Sequence, residues 1–285
     1  MKIDPTRLGD IARSVIGKPI SLLLENDGRL IVHQIGHSKG ARAEILMFAS
    51  LGRETSDFNE LAGALSENGF AVSLVEAPHI NGAVPSSEAP TLFDLAEDVG
   101  AYLDTYSRPV FVLGHAFGNR LARAVASARP DRVDGVILIA AGGLKPIDAK
   151  AIDALLNCFN DDLSPEQHQS AVRFGFFAKN NPIPDYWLRG WHKQTADIQS
   201  RATRAVRPED WWDAGGKPML VIAAMNDTIA PPQDTIDLLE REFSEQVSAV
   251  RIVDAGHALL PEKPREIATA VFTWLNSQQD QNASG

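Results

Sequence analysis

Short runs of consecutive apolar residues alternate along the chain with longer segments in which apolar residues are spaced as on one face of a helix. The runs have the length of strands, and each longer segment has the periodicity of an amphipathic helix. This alternation predicts a mostly parallel sheet whose connecting helices cover both of its faces. The runs 136–140 and 220–224 are apolar throughout, as expected for central strands that are buried on both sides.

Two apolar runs, 20–24 and 30–35, precede this rhythm, and Asp27-Gly28 lies between them. Such a dipeptide between two strands predicts a hairpin. With the later runs, the pattern predicts a central sheet of about eight strands in an α/β fold. The later strands are predicted at 45–48, 71–75, 110–113, 136–140, 220–224 and 247–253.

Two helix starts are marked by polar pairs three residues apart. Asp57 with Glu60 predicts the first, and Thr91 with Asp94 has the spacing of a capping box. Each pair precedes a segment with one apolar face, so both predict helices that pack on the sheet.

The strand rhythm stops between residues 145 and 208, where the chain is helical in pattern and rich in aromatic residues. This segment predicts a helical lid inserted into a core formed by residues 1–144 and 209–285. In open α/β sheets, sites lie at the carboxyl ends of the strands, so the active site is expected there, beneath the lid.

The formal charge of −10 disfavours nucleic acid as a partner, because phosphate binding needs clustered basic residues. Cys158 is the only cysteine, which excludes an internal disulfide and fits a reducing, cytoplasmic location. No apolar stretch approaches the roughly 20 residues of a membrane span, and no residue spacing suggests a metal site. We expect a monomer or homodimer that acts on a small-molecule substrate without a cofactor.

Residues 110–120 read Val-Phe-Val-Leu-Gly-His-Ala-Phe-Gly-Asn-Arg and lie between a predicted strand and a predicted helix. This is the context of a nucleophile elbow, in which glycines permit a sharp turn that lifts the central residue, Ala116, above the sheet. The alternative is an ordinary turn that needs glycine for steric reasons. Asp227 follows the predicted strand at 220–224 and His257 follows the predicted strand at 247–253, which favours the elbow.

With these three segments the chain resembles the α/β-hydrolase superfamily, from about residue 28 to residue 275. The order elbow, acid, histidine is the one that this superfamily requires. The resemblance implies that His257 is the base and Asp227 the acid that orients it. It also implies that the backbone N–H groups of Phe117 and of Leu51 form the oxyanion hole.

The sequence departs from the superfamily pattern at two places. The loop after the third strand has Ala49-Ser50 where a His-Gly pair is common. More importantly, Ala116 occupies the nucleophile position, and a methyl group cannot form an acyl-enzyme. Ser50 remains open as a substitute nucleophile or as an oxyanion donor in place of Leu51, and Asp254 as a substitute acid.

Four functions remain open for a His257–Asp227 pair beside Ala116. The first is hydrolysis of a small ester, lactone, amide or enamine-like substrate by water that His257 activates, which resembles the aminoacrylate hydrolases of pyrimidine breakdown and their Gly-His-Ala-Leu-Gly elbow. The second is direct proton abstraction, as in carbon–carbon lyases and cofactor-free oxygenases of the superfamily. The third is a serine hydrolase whose serine was exchanged for alanine by engineering, and the fourth is a ligand-binding pseudoenzyme.

Further side chains are candidates for the substrate pocket. Ser50 and His115 adjoin the predicted oxyanion and elbow loops, and His79 follows the fourth strand. Trp187 and Trp191 belong to the predicted lid. For His115 and the tryptophans the alternative is packing, since aromatic side chains more often hold a lid onto the sheet than contact a ligand. For His79 the alternative is exposure to solvent without a role in binding.

Overall fold

Eight strands form one sheet in a computed structural model of the protein, which describes residues 8–284, with side chains up to residue 279. The strand order is β1-β2-β4-β3-β5-β6-β7-β8; β1–β2 and β2–β4 are antiparallel, and the other neighbours are parallel. This confirms the predicted α/β sheet. The strands are β1 Lys18–Leu23, β2 Arg29–Ile35, β3 Glu44–Phe48, β4 Ala71–Val75, β5 Val110–His115, β6 Val133–Ile139, β7 Met219–Ala224 and β8 Val247–Ile252.

The predicted hairpin is formed by β1 and β2, with Leu23 opposite Arg29. Asn26 and Asp27 both have positive φ, at 52° and 59°. Tight hairpin turns favour Asn and Asp at such positions because these side chains tolerate the left-handed conformation. The hairpin lies at one edge of the sheet, away from the strand ends that carry the candidate chemistry.

Helices cover both faces of the sheet. Residues of α2, α3 and α7 pack in one buried apolar cluster, and residues of α1 and α8 pack in a second. Alternate β3 side chains enter the two clusters, as the period of a strand requires. The helices are α1 Asn59–Glu67, α2 Leu92–Leu103, α3 Phe117–Ala128, α4 Ala149–Asn157, α5 Pro165–Phe176, α6 Lys193–Arg204, α7 Ile236–Glu242 and α8 Pro264–Ser284.

The two predicted helix starts have different outcomes. Thr91 caps α2 in a capping box, because its hydroxyl accepts from the Asp94 N–H while the Asp94 carboxylate accepts from the Thr91 N–H. The start at Asp57 is wrong. Its carboxylate binds the Arg53 guanidinium instead, and α1 follows a short 3-10 turn without a side-chain cap.

Residues 145–208, here called the helical insertion, connect β6 to β7 and contain α4, α5 and α6. Within this range, all of which the structure describes, there is no strand. Phe176, Phe177, Trp187 and Trp191 are buried together in a third apolar cluster. Across residues 8–284, no helix has the length and apolar character needed to cross a membrane.

Candidate active site

The turn between β5 and α3 holds Ala116 in a strained backbone conformation, with φ 50° and ψ −109°. Positive φ costs a non-glycine residue about 1–3 kcal/mol, so the surroundings must fix it. The Ala116 N–H donates to the Ile139 carbonyl on β6 at 3.0 Å, and its own carbonyl accepts from the Asn119 N–H at 3.1 Å. The residue is therefore held at the carboxyl end of the sheet.

Close backbone approaches explain the two glycines that flank this turn. A Cβ on Gly114 would lie 2.1 Å from the Gly118 carbonyl, and a Cβ on Gly118 would lie 1.9 Å from the Phe48 carbonyl oxygen. Both distances are far inside van der Waals contact. The glycines thus serve the steric need considered above, and by doing so they allow β5, α3 and β3 to form the elbow.

A buried hydrogen bond joins the candidate base to the candidate acid. His257 Nδ1 lies 2.8 Å from Asp227 Oδ2, and the other carboxylate oxygen accepts from the Ile229 and Ala230 N–H groups at 2.9 and 2.8 Å. Because the carboxylate is fixed from behind and only accepts, the imidazole donates through Nδ1. The Nε2 lone pair of His257 is then free to take a proton. Asp254 is exposed and forms no such bond to His257.

A cavity of about 280 Å³ brings the elbow and the base together. Ala116, Phe117 and His257 line it with Ser50 and Leu51. Most of the remaining wall is apolar, and part of it comes from the helical insertion, including Ile147, Ile152, Leu155, Leu156 and Phe176. A cavity of this kind suits a small, largely apolar molecule.

Two backbone N–H groups at this cavity are available to an oxyanion. Phe117 is the first residue of α3, where helix geometry leaves N–H groups without an intrahelical acceptor. Among the described residues, neither its N–H nor that of Leu51 donates to a protein acceptor. By contrast, the Gly52 N–H donates to Gln199 Oε1 at 2.8 Å, which fixes the loop after β3 against α6.

His115 adjoins the loop of the candidate base and does not line the cavity. Its Nε2 donates to the His257 backbone carbonyl at 2.8 Å, so it supports the loop that carries the candidate base. Burial, and then the neighbouring His257, lowers the pKa of His115 to about 3. The ring is therefore neutral at physiological pH.

The structure also places His79, Trp187 and Trp191 away from this cavity, contrary to the prediction that they contact substrate. The two tryptophans are buried and stack on the Arg53 guanidinium, at 4.3 and 4.7 Å from its centre, where they shield a buried cation. His79 has φ 65° and its N–H closes a turn onto the Ala83 carbonyl. Cys158 is buried too, which raises the pKa of its thiol and removes it as a nucleophile.

Two of the cavity-wall residues that sequence reasoning did not predict lie beside the candidate base and the elbow. Phe176 packs its ring 5.5 Å from that of His257, and Arg120 lies one helical turn after Ala116. The helical spacing of Arg120 places it on the same side of α3 as Ala116 and is a signal that the sequence contains. For Phe176 the sequence contains no such signal, because the local pattern does not show how the helical insertion packs over the sheet.

The sequence of residues 32–270 matches the model of the alpha/beta hydrolase family. The chain belongs to that family. No curated protein matches the chain as a relative.

Solved structures of esterases and hydrolases share the fold. An esterase from Thermogutta terrifontis is 17% identical, with a TM-score of 0.72 over 92% of this chain and 100% of that one. A carboxylesterase from Bacillus subtilis is 14% identical, with a TM-score of 0.70 over 92% of each chain. A hydrolase from Pseudomonas aeruginosa is 19% identical, with a TM-score of 0.70 over 91% of this chain and 98% of that one.

Proposed function

We propose that this protein hydrolyses a small organic ester, lactone, amide or enamine-like substrate by activating water rather than by forming an acyl-enzyme. The observation that carries the proposal is the intact His257–Asp227 hydrogen bond at a cavity that Ala116 also lines. A family member that had lost all chemistry would have no need of an oriented imidazole beside the elbow. A methyl group at position 116 is smaller than a serine side chain by one hydroxyl, and the proposed mechanism places the attacking water at that point of the cavity.

In this mechanism the Nε2 atom of His257 takes a proton as the water oxygen attacks the scissile carbonyl. The negative charge that develops on the carbonyl oxygen is stabilised by the N–H groups of Phe117 and Leu51. Collapse of the tetrahedral intermediate breaks the bond to the leaving group, which receives the proton from the imidazolium. Asp227 keeps the ring in the required tautomer throughout and stabilises its positive charge.

The proposal includes a lid role for the helical insertion. Support comes from Ile152 and Leu155 of α4 and from Phe176 of α5, which form part of the cavity wall. Closing an apolar wall over the elbow excludes bulk water, which strengthens the interaction of the oxyanion with its donors.

Turnover of an ester and lactone panel tests the proposal on three proteins: the protein as it stands, Ala116→Ser and His257→Ala. We expect hydrolysis by the first and a fall of about 10³-fold or more in kcat for His257→Ala. A fluorophosphonate probe should label Ala116→Ser and leave the unmodified protein unlabelled, because only the variant has a hydroxyl at the elbow.

Other outcomes of this turnover test would support the alternative functions. Hydrolysis that appears only in Ala116→Ser identifies a serine hydrolase whose nucleophile has been exchanged. No turnover in any of the three proteins, together with tight binding of a small ligand, identifies a pseudoenzyme and overturns the proposal. Hydrolysis that survives His257→Ala at full rate also overturns it.

A further inference from the structure

Arg120 faces the candidate active site without a carboxylate partner. It lies one turn of α3 beyond Ala116, lines the same cavity as His257, and is half-buried. Its Nε atom lies against the backbone of Gly143, since a Cβ there would be 3.2 Å from it. Among the described residues, its guanidinium has no hydrogen bond and no ion pair. Other arginines of this chain do pair with acids, namely Arg13, Arg53, Arg129, Arg132, Arg207 and Arg251.

A second unpaired cation stands next to Arg120. Arg123 is fully buried between Trp211 and Trp212, and it donates only to backbone carbonyls. Burial lowers the pKa of both arginines, and the charge of Arg120 lowers that of Arg123 further. Two neighbouring guanidinium groups without a counter-ion destabilise the empty protein, and a bound anion would relieve this.

The other charged residues of the mostly apolar cavity wall are also predominantly basic. Among the described residues that line it, Lys145 and Arg204 are also basic, and Asp234 is the only acid. Asp234 forms no ion pair with Arg120. The protein as a whole carries a formal charge of −10, whereas the charged side chains that line the cavity have a net positive charge. A local field of this sign favours an anionic ligand over a neutral one.

We propose that Arg120 binds a carboxylate of the substrate, so that the cavity takes small organic acids with a hydrolysable bond a few atoms from the acid group. The planar fork of a guanidinium matches a carboxylate in two parallel hydrogen bonds. Arg120 follows Ala116 by four residues and both line the one cavity, so a single small substrate can contact both. This inference rests on the proposed hydrolytic function and specifies its substrate class.

The test compares two probes that differ in one charge, monomethyl glutarate and dimethyl glutarate. For the unmodified protein we expect a higher kcat/KM with the monoester. Arg120→Met should lower kcat/KM for the monoester by about 100-fold and that for the diester by less than about threefold. Arg201→Met is the matched control, because Arg201 lies on α6 near Arg204, is exposed and does not line the cavity. An equal effect of Arg120→Met on both esters would overturn the inference.

Binding separates this inference from the proposed hydrolysis. In a thermal shift measurement, monomethyl glutarate should raise the Tm of the unmodified protein and of His257→Ala, but not that of Arg120→Met. The ligand-free Arg120→Met protein should have a higher Tm than the unmodified protein, because an unpaired charge has been removed. Arg120→Lys keeps the charge and should retain part of the binding.

The outcomes are distinct. Binding of the monoester that depends on Arg120 without turnover supports the carboxylate site and overturns the hydrolysis. Turnover that depends on His257 but not on Arg120 supports the hydrolysis and overturns the carboxylate site. A Tm shift by inorganic phosphate equal to that by the monoester would show a general anion site and overturn the assignment to carboxylates.

Discussion

At the scale of single residues, the elbow depends on the absence of a side chain at Gly118. The approach of its Cα to the Phe48 carbonyl joins α3 to β3 and brings Phe117 close to Leu51. Both candidate oxyanion donors therefore depend on a contact that no other amino acid permits. The geometry of the site and the stability of the fold are linked at this residue.

We predict that Gly118→Ala lowers the free energy of unfolding by about 3 kcal/mol or more, since the new methyl group would lie 1.9 Å from a backbone oxygen that cannot move alone. Gly63→Ala is the control, because Gly63 lies within α1 and the nearest atom to a Cβ there would be Ile16 Cδ1, at 4.0 Å. That variant should gain about 0.5–1 kcal/mol from helix propensity. Urea unfolding measures both, and equal stabilities would contradict the steric argument.

At the scale of elements, the Arg53–Asp57 pair joins the loop after β3 to the helical insertion. Two hydrogen bonds of 2.9 and 2.8 Å link the side chains, and Arg53 also donates to the Arg189 carbonyl. Trp187 and Trp191 also stack on the guanidinium, so the buried cation has both hydrogen-bond and aromatic partners. This arrangement fixes the insertion relative to the loop that carries Leu51.

Asp57→Asn leaves a buried guanidinium without its counter-ion, so we expect the free energy of unfolding to fall by about 3–5 kcal/mol. Asp237→Asn removes an acid from the exposed pair with Arg251 and should change stability by less than about 1 kcal/mol. Thermal or urea unfolding compares the two. Similar small losses in both variants would mean that the buried pair does not hold the insertion in place.

Most strands and helices could be predicted from local sequence patterns, but the contacts between them could not. The strands β5, β6 and β7 are runs of apolar residues, and the capping box of α2 is complete within Thr91–Asp94, so both could be predicted. The start of α1 could not, because Asp57 is bound by Arg53 rather than by the helix. Likewise, a tryptophan that shields a cation and one that contacts a substrate look the same in a sequence, which explains the error for Trp187 and Trp191.

The parts of the site that were predictable depend on chain order and topology. Asp227 and His257 each follow a core strand, and parallel strands bring their carboxyl ends to one edge of the sheet. Their 2.8 Å hydrogen bond follows from that topology. The role proposed for Arg120 was not predictable from its position alone, because it depends on the absence of an acid partner among the described residues.

At the scale of the whole molecule, stability is linked to pH through His115. The folded pKa of about 3 lies below the ordinary value of 6.5, so the unfolded chain binds a proton that the folded protein does not. This contribution to stability is complete above about pH 6.5 and is lost as the pH falls toward 3, at up to about 1.4 kcal/mol per pH unit.

His115→Gln tests this linkage, because glutamine can still donate to the His257 carbonyl but does not titrate. We expect the difference in unfolding free energy between the unmodified protein and the variant to shrink by about 1 kcal/mol for each unit between pH 6 and pH 4. Urea titrations at pH 7.5, 6, 5 and 4 measure it. A difference that is constant across this range would show that His115 titrates normally in the folded state.

The strained turn at residue 116 has a consequence for the history of such enzymes. Backbone hydrogen bonds to β6 and to the first turn of α3, together with the close approach of Gly118 to β3, set its shape. A single substitution between alanine and serine at this position can therefore add or remove a hydroxyl while the backbone of the turn stays the same. Covalent and water-mediated chemistry become neighbouring evolutionary states of one scaffold.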